Sequence, residues 1–151
     1  MREIKFRGKT EQSGKWVYGH LIYWAGDYQI WETETNGKTH NYSVIPETVG
    51  EFIGLKDKNG VDVYEGDIYY KEDSYKNLFN RKTWFKISFE KGCFYEEVIK
   101  AENTLEHKST QIGVYKVGDM LLLSKYNNDD FLHFKVIDNI SDNTDILTVP
   151  S

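Results

Sequence analysis

A chain of 151 residues with one cysteine and a net charge of −5 buries about 68–70% of its unfolded surface on folding, so neither a disulfide nor a structural metal is required for stability. No run approaches the roughly 18–20 apolar residues needed to cross a bilayer, and the polar start Met1-Arg2-Glu3-Ile4-Lys5 lacks the apolar core of a signal peptide. A lone thiol, Cys93, suits a reducing cytoplasm.

Aromatic residues make up 15% of the chain, prolines number two, and alanine is confined to Ala25 and Ala101, a bias toward strands. Basic residues (Arg2, Lys5, Arg7, Lys9, Lys15) outnumber Glu3 and Glu11 at the start, whereas Asp129, Asp130, Asp138, Asp142 and Asp145 face only Lys135 near the end. The asymmetry could steer a partner, but a solvated surface of mixed sign is the favoured reading of both stretches.

Ile4 and Phe6 alternate with Lys5 and Arg7, predicting a short strand that ends at Gly8. Lys15 to Trp24 is apolar on both sides, as expected of a central strand covered on both faces. Ala25-Gly26-Asp27 supplies a turn into a returning strand, and Asn36-Gly37 suits a tight type I′ hairpin leading to Tyr42, Val44 and Ile45. Pro46 stops pairing, so the first 45 or so residues read as a meander of three to five strands.

A second Asn-Gly turn lies at Asn59-Gly60, followed by Val63-Tyr64-Glu65-Gly66-Asp67-Ile68, where glycine permits a sharp bend into a strand. The pattern recurs at Val117-Gly118-Asp119-Met120. Lys71 to Lys82 is polar and reads as a loop, and Phe85, Ile87 and Phe89 alternate as a strand that turns at Lys91-Gly92. Cys93 to Ile99 reads first as strand, with a short helix between Tyr95 and Leu105 as the alternative, because Tyr95, Val98, Ile99 and Leu105 also fit helical spacing. Met120 to Tyr126 and Phe131 to Ile140 are expected to close as a hairpin, with Ser141 to Asp145 capping a last helical turn over Ile146 and Leu147.

Several of these segments together resemble the YopX family of phage and prophage proteins. They are Arg2-Glu3-Ile4-Lys5-Phe6-Arg7-Gly8-Lys9 with Gly14-Lys15-Trp16-Val17-Tyr18-Gly19, the run from Pro46 to Gly60, and above all Val63-Tyr64-Glu65-Gly66-Asp67-Ile68. Phe134 to Asn143 resembles the family's C-terminal strand and turn, although Asn143-Thr144-Asp145-Ile146-Leu147 lacks the proline common at that ending. The resemblance implies a phage or prophage origin and an all-β fold. In that fold an N-terminal β-meander (residues 1–50) packs on an SH3-like small barrel (residues 51–151) as one compact unit. It supplies no catalytic or binding residues.

The residues themselves point away from catalysis. His20, His40, His107 and His133 are far apart, with none of the close spacing typical of zinc ligands. Cys93 sits between Gly92 and Phe94 and is expected to be a buried, inert thiol. Adjacent carboxylates such as Glu96/Glu97 and Asp129/Asp130 point to opposite faces of a strand, which works against joint acid–base chemistry. No phosphate loop, nucleophile elbow or zinc-protease motif occurs.

The expectation is a non-enzymatic protein-interaction module in the host bacterial cytoplasm, with a host or phage protein as partner, no cofactor and no membrane. Strand edges and acidic C-terminal loops would be its contact surfaces. The alternative is a nucleic-acid-binding small barrel, stacking bases on aromatic rings beside cations. Its candidate surface is Tyr75, Lys76, Arg81, Lys82, Trp84 and Lys86, with the Lys5/Arg7 strand as a second.

Overall fold

A computed structural model describes residues 3–75, 79–103, 118–123 and 134–142. The described residues are almost entirely strand, in two open antiparallel sheets with no closed barrel among them. They divide into two units, the first comprising Met1–Leu55 and Asp62–Glu65, the second Lys56–Val61 and Gly66–Ser151.

In the first unit, β1 (Phe6–Lys9), β2 (Trp16–Trp24), β3 (Asp27–Thr33) and β4 (Thr39–Ser43) form an antiparallel meander, and β5 (Gly50–Lys56) returns beside β1. With β6 (Asp62–Tyr64) the sheet order is β4-β3-β2-β1-β5-β6, so β2 is central, as its apolar run predicts, but it is not covered on both faces: none of its residues is buried, and Tyr18, Tyr23 and Trp24 are exposed. The ends of β1 and β4 also meet. Thr10 bridges Val44, Ile45 N–H donates to the Lys9 carbonyl at 2.9 Å, and Glu11 N–H donates to the Ser43 carbonyl at 3.1 Å. Ile30, Val44 and Val63 are wholly buried and give the unit its core.

The two hairpin turns exchange the chemistry expected of them. The Ala25-Gly26 turn has positive φ at both central residues (53° and 91°), as a type I′ turn requires. At Asn36-Gly37 only the glycine is positive (φ 84°), and Gly37 N–H bonds to the Glu34 carbonyl. That loop is longer than a two-residue turn, and Asn36 serves it through its side chain, accepting from Lys38 N–H at 2.7 Å and donating to Glu34 at 2.7 Å.

In the second unit, β7 (Asp67–Tyr75), β8 (Phe79–Glu90) and β9 (Cys93–Asn103) form a meander flanked by β10 (Met120–Leu122) and β11 (Asp138–Asn139), in the order β10-β9-β8-β7-β11. Gly66 turns the chain into β7 with φ 83°, and any Cβ there would lie 3.0 Å from the Asn139 amide nitrogen. Both its conformation and its neighbour therefore demand glycine. Asp57 fixes another bend by accepting from Asn59 N–H, Val61 N–H and Val136 N–H at 2.8, 3.0 and 3.3 Å.

The inner face of this sheet buries Tyr69, Phe85, Ile87 and Val98. Tyr69 stacks on Phe85 and on Phe134, with centroids 5.3 and 5.2 Å apart. Among these rings lies a polar cluster. Glu96 is fully buried, accepts a hydrogen bond from the Tyr69 hydroxyl, and pairs with Lys71 Nζ at 3.3 Å. The same ammonium lies 4.7 Å from the Phe85 centroid and 4.5 Å from that of Phe134.

Three further expectations are corrected, and the strand reading of Cys93 to Ile99 holds over its alternative. The helix considered between Tyr95 and Leu105 is strand as far as Asn103. A register shift between Trp84 and Phe85 pairs them with Lys100 and Val98, leaving Ile99 as the extra residue of a β-bulge. Val98 and Ile99 are thereby both buried although consecutive, which imitates helical spacing. The polar stretch from Lys71 to Lys82 is strand wherever it is described, in the ladder that pairs Lys71 to Tyr75 with Phe79 to Thr83. Its charges are compatible with strand because they pair across it, as Glu72 does with Lys82 at 3.5 Å.

The C-terminal hairpin differs as well. Met120–Leu122 pairs with β9 and Asp138–Asn139 with β7, at opposite edges of the sheet, because Asp138 and Asn139 are engaged by Ile68 and Asp67. Cys93 is exposed rather than buried, being the first residue after the Lys91-Gly92 turn. The expected cap over Ile146 and Leu147 lies outside the described residues, as do His107, His133, Asp129, Asp130 and Asp145.

Candidate functional site

The predicted surface on the second unit has a definite geometry. Lys82, Trp84 and Lys86 alternate along β8 and share one face. Lys82 Nζ lies 3.7 Å from the Tyr70 ring centroid and 5.2 Å from that of Trp84, and Lys100 Nζ approaches Trp84 at 4.9 Å. Each ammonium also meets a carboxylate: Lys82 with Glu72 at 3.5 Å, Lys86 with Glu97 at 2.7 Å, Lys100 with Glu102 at 2.7 Å.

Burial alone would raise the Glu97 pKa, but hydrogen bonds from Lys86 and Ser88 outweigh it and hold the carboxyl below its ordinary range. Of the other predicted residues, Tyr75 lies opposite Phe79, and Arg81 lies opposite Asp73 and Asn103 in the backbone register. Lys76 lies outside the described residues. The face thus joins Tyr70 and Trp84 to Lys82 and Lys100, and each described lysine is matched by a glutamate, Glu72 and Glu97 from across the ladder and Glu102 from two residues along β9.

The second candidate, the Lys5/Arg7 strand, is more deeply engaged. Arg7 is only 8% exposed, and its guanidinium lies 4.7 Å from the ring centroids of both Trp16 and Tyr64 and donates to the Glu65 carbonyl at 3.4 Å. Lys5 pairs with Asp62 at 2.6 Å and with Glu3 at 3.3 Å. Burial lowers the Lys5 pKa, and these bonds more than offset it, leaving it raised. Burial also pushes the Tyr64 phenol up to about 12.

A third surface was not anticipated. Of the ten large apolar side chains exposed among the described residues, five belong to the β2–β3 hairpin: Tyr18, Tyr23, Trp24, Tyr28 and Trp31. Trp24 is 69% exposed and Tyr23 63%. Tyr23 and Tyr28 pair across the hairpin with rings 4.9 Å apart. On the other face, a chain of hydrogen bonds fixes the indole of Trp31. Its Nε1–H donates to Gln29 at 3.1 Å, Gln29 donates to Asp27 at 3.2 Å, and the Ser43 hydroxyl donates to the same carboxylate at 2.6 Å. The bonds from Ser43 and Gln29 hold the Asp27 carboxyl below its usual range. Rings held this way lose little freedom on contact, a property of recognition surfaces. The only sequence signal for it was the two-sided apolarity of β2, which reads equally well as burial on both faces.

Among the described residues no three of His, Cys, Asp and Glu gather in a group able to hold a metal ion. His40 pairs with Glu34 at 2.9 Å. Glu96 and Glu97 do lie on opposite faces, one in the core and one beside Lys86. No helix among the described residues is long and apolar enough to cross a membrane.

Comparison with known proteins decides the family. The profile described as YopX protein matches residues 5–148, nearly the whole chain. The chain belongs to the YopX family. No curated protein gives a significant match. Among solved structures, the crystal structure of protein EF1440 from Enterococcus faecalis is similar, with 20% identity and a TM-score of 0.51 over 98% of this chain and 100% of that one. At that identity the likeness concerns the fold alone. All three surfaces lie within the YopX match: the Lys5/Arg7 strand at its start, the β2–β3 hairpin beyond it, and the β8 face in the second unit.

Proposed function

We propose that this YopX-family chain is a non-enzymatic protein-interaction module of phage or prophage origin, acting in the bacterial cytoplasm on a host or phage protein. The observation that carries the reading is the β2–β3 hairpin, with five large aromatic side chains exposed on one element and one of them locked by a hydrogen-bond chain. Tryptophan and tyrosine are the residues whose burial most often dominates protein–protein affinity. Exposing several together is otherwise a liability for a free protein.

The nucleic-acid alternative draws support from the lysine–aromatic stacks on β8. It is weakened by the glutamate beside each lysine, because affinity for phosphates rests on releasing counterions with uncompensated positive charge.

A tagged pull-down from phage-infected cells, with and without nuclease, separates the two readings. The comparison is between the wild-type chain and the double variant Tyr23→Ser/Trp24→Ser, whose positions are too exposed to unsettle the fold. Retention of a defined protein that survives nuclease and disappears in the variant is the expected result. Nuclease-sensitive retention, with salt-dependent binding of labelled single-stranded DNA or RNA, would replace this reading with the alternative.

A further inference from the structure

We infer that the outer edge of β4 is a docking site for an extended peptide, which adds to the sheet as a further antiparallel strand. The inference rests on the protein-interaction reading and gives it a second, chemically defined surface.

The hydrogen-bond pattern of β4 defines this edge. Val44 N–H donates to the Tyr28 carbonyl at 3.0 Å, and Glu34 N–H to the Lys38 carbonyl at 2.8 Å. In an antiparallel ladder, opposed residues alternate between bonded and non-bonded pairs. His40 and Tyr42, opposite Glu32 and Ile30, therefore bond to β3. Thr39, Asn41 and Ser43 direct their backbone N–H and C=O groups away from it.

The chain itself starts to use this outward edge and then abandons it. Glu11 N–H takes the Ser43 carbonyl, Ile45 N–H takes that of Lys9, and Thr10 bridges Val44. Beyond Glu11 the chain turns away, with Gly14 N–H bonded back to the Thr10 carbonyl. Among the described residues nothing continues the ladder past Asn41 to Thr39.

A groove of about 450 Å³ lies along this interrupted edge, within the range of roughly 300–1,000 Å³ typical of ligand sites. Asn41, Tyr42 and Ser43 line it on one side, and Thr10 to Ser13 with Lys15, Trp16 and Val17 on the other. Within Thr39–Ser43 the edge carries no proline, no lysine and no bulge, three of the devices that block pairing. A main chain entering the groove would continue the place left by Glu11. Side chains of alternate residues would meet Tyr42 and Val17 on one face, and Asn41 and Trp16 on the other. The first position favours an aliphatic residue, the second a small polar one.

The size of the edge selects a peptide rather than a second copy of this chain. Five residues of strand span roughly 17 Å, and the β1–β2 turn closes one end. A stable dimer needs about 800 Å² from each partner, more than a walled edge of this length offers, whereas an added strand is held by main-chain bonds and alternate side-chain pockets.

The test is amide hydrogen exchange on the full chain. In the free protein His40 and Tyr42 should exchange slowly, and Thr39 and Asn41 fast. The probe is the capped peptide Ac-Val-Thr-Val-Thr-NH2, with its fully N-methylated counterpart as control. At a peptide concentration about nine times Kd, exchange at Thr39 and Asn41 should slow about tenfold, with no change from the N-methylated peptide. Asn41→Pro deletes an outward N–H without touching a bond to β3 and should abolish the effect. If that variant does not fold, the N-methylated control makes the same distinction.

Unchanged exchange at saturating peptide would overturn the inference. So would protection of Asn41 that rises with protein concentration alone, which would mean that a second copy occupies the edge. Neither outcome touches the hairpin reading, which stands or falls on nuclease-resistant retention lost in Tyr23→Ser/Trp24→Ser.

Discussion

Lys71→Met is the substitution that most sharply tests the energetics of the second unit. Glu96 is fully buried, and Lys71, with 17% of its side chain exposed, is a cation paired with it. Methionine keeps the aliphatic packing against Phe85 and Phe134 but leaves the carboxylate without that charge. Breaking a buried pair by removing one partner costs about 3–5 kcal/mol, a large share of a stability of roughly 5–15 kcal/mol. Adding Glu96→Gln removes the carboxylate charge while preserving an acceptor for the Tyr69 hydroxyl. The double variant should therefore recover about 2 kcal/mol relative to Lys71→Met alone, as coupling within one network allows.

Native-state hydrogen exchange at the Val98 amide, bonded to the Asp119 carbonyl at 2.9 Å, reads the opening of this sheet. Lys71→Met should accelerate it by about 10²–10⁴. An acceleration below about fivefold, or costs that simply add in the double variant, would refute the claim that the pair is a mutually dependent unit.

Two further predictions concern the same sheet. Thr83 is buried, and its hydroxyl makes no hydrogen bond among the described residues. Thr83→Val should thus leave stability unchanged or raise it by about 1 kcal/mol, measured by the same exchange experiment. The lowered Glu97 pKa fixes the sign of a pH effect. A carboxyl whose folded pKa lies below its ordinary 4.5 stabilises the fold above that pH, and the contribution fades as pH falls through the folded value. Because the pair is partly exposed the effect is under about 1 kcal/mol. Glu97→Gln should flatten the acid limb of a thermal-unfolding pH profile and leave the remainder of its shape intact.

Local chemistry made most of the strands legible. The alternation of Phe85, Ile87 and Phe89, the Gly66 bend and the central position of β2 all follow from side-chain period and backbone freedom. What escaped depended on register. Glu72 and Lys82 are ten positions apart and look like loop residues until the ladder sets them side by side. Val98 and Ile99 look helical until the bulge opposite Trp84 and Phe85 accounts for both being buried. The exposed hairpin escaped for another reason. Tyr18, Trp24 and Trp31 carry the same signal whether a face is covered by the protein itself or left for a partner, and only exposure distinguishes the two.

Aromatic rings and charges are combined differently on the two sheets, and this bears on what each can recognise. On β8 the lysines lie over Tyr70 and Trp84 and are matched by Glu72, Glu97 and Glu102, so bringing a phosphate there means displacing a carboxylate already held. On β2 and β3 the rings are exposed, and Asp27, opposite Trp24, is a negative charge that repels phosphate and is held by Ser43 and Gln29. Recognition through the hairpin would thus come from apolar burial. Recognition through the β4 edge would come from neutral backbone groups. Neither contribution releases counterions, so affinity for a protein partner should vary little with salt, in contrast to the steep log–log decline that phosphate binding imposes.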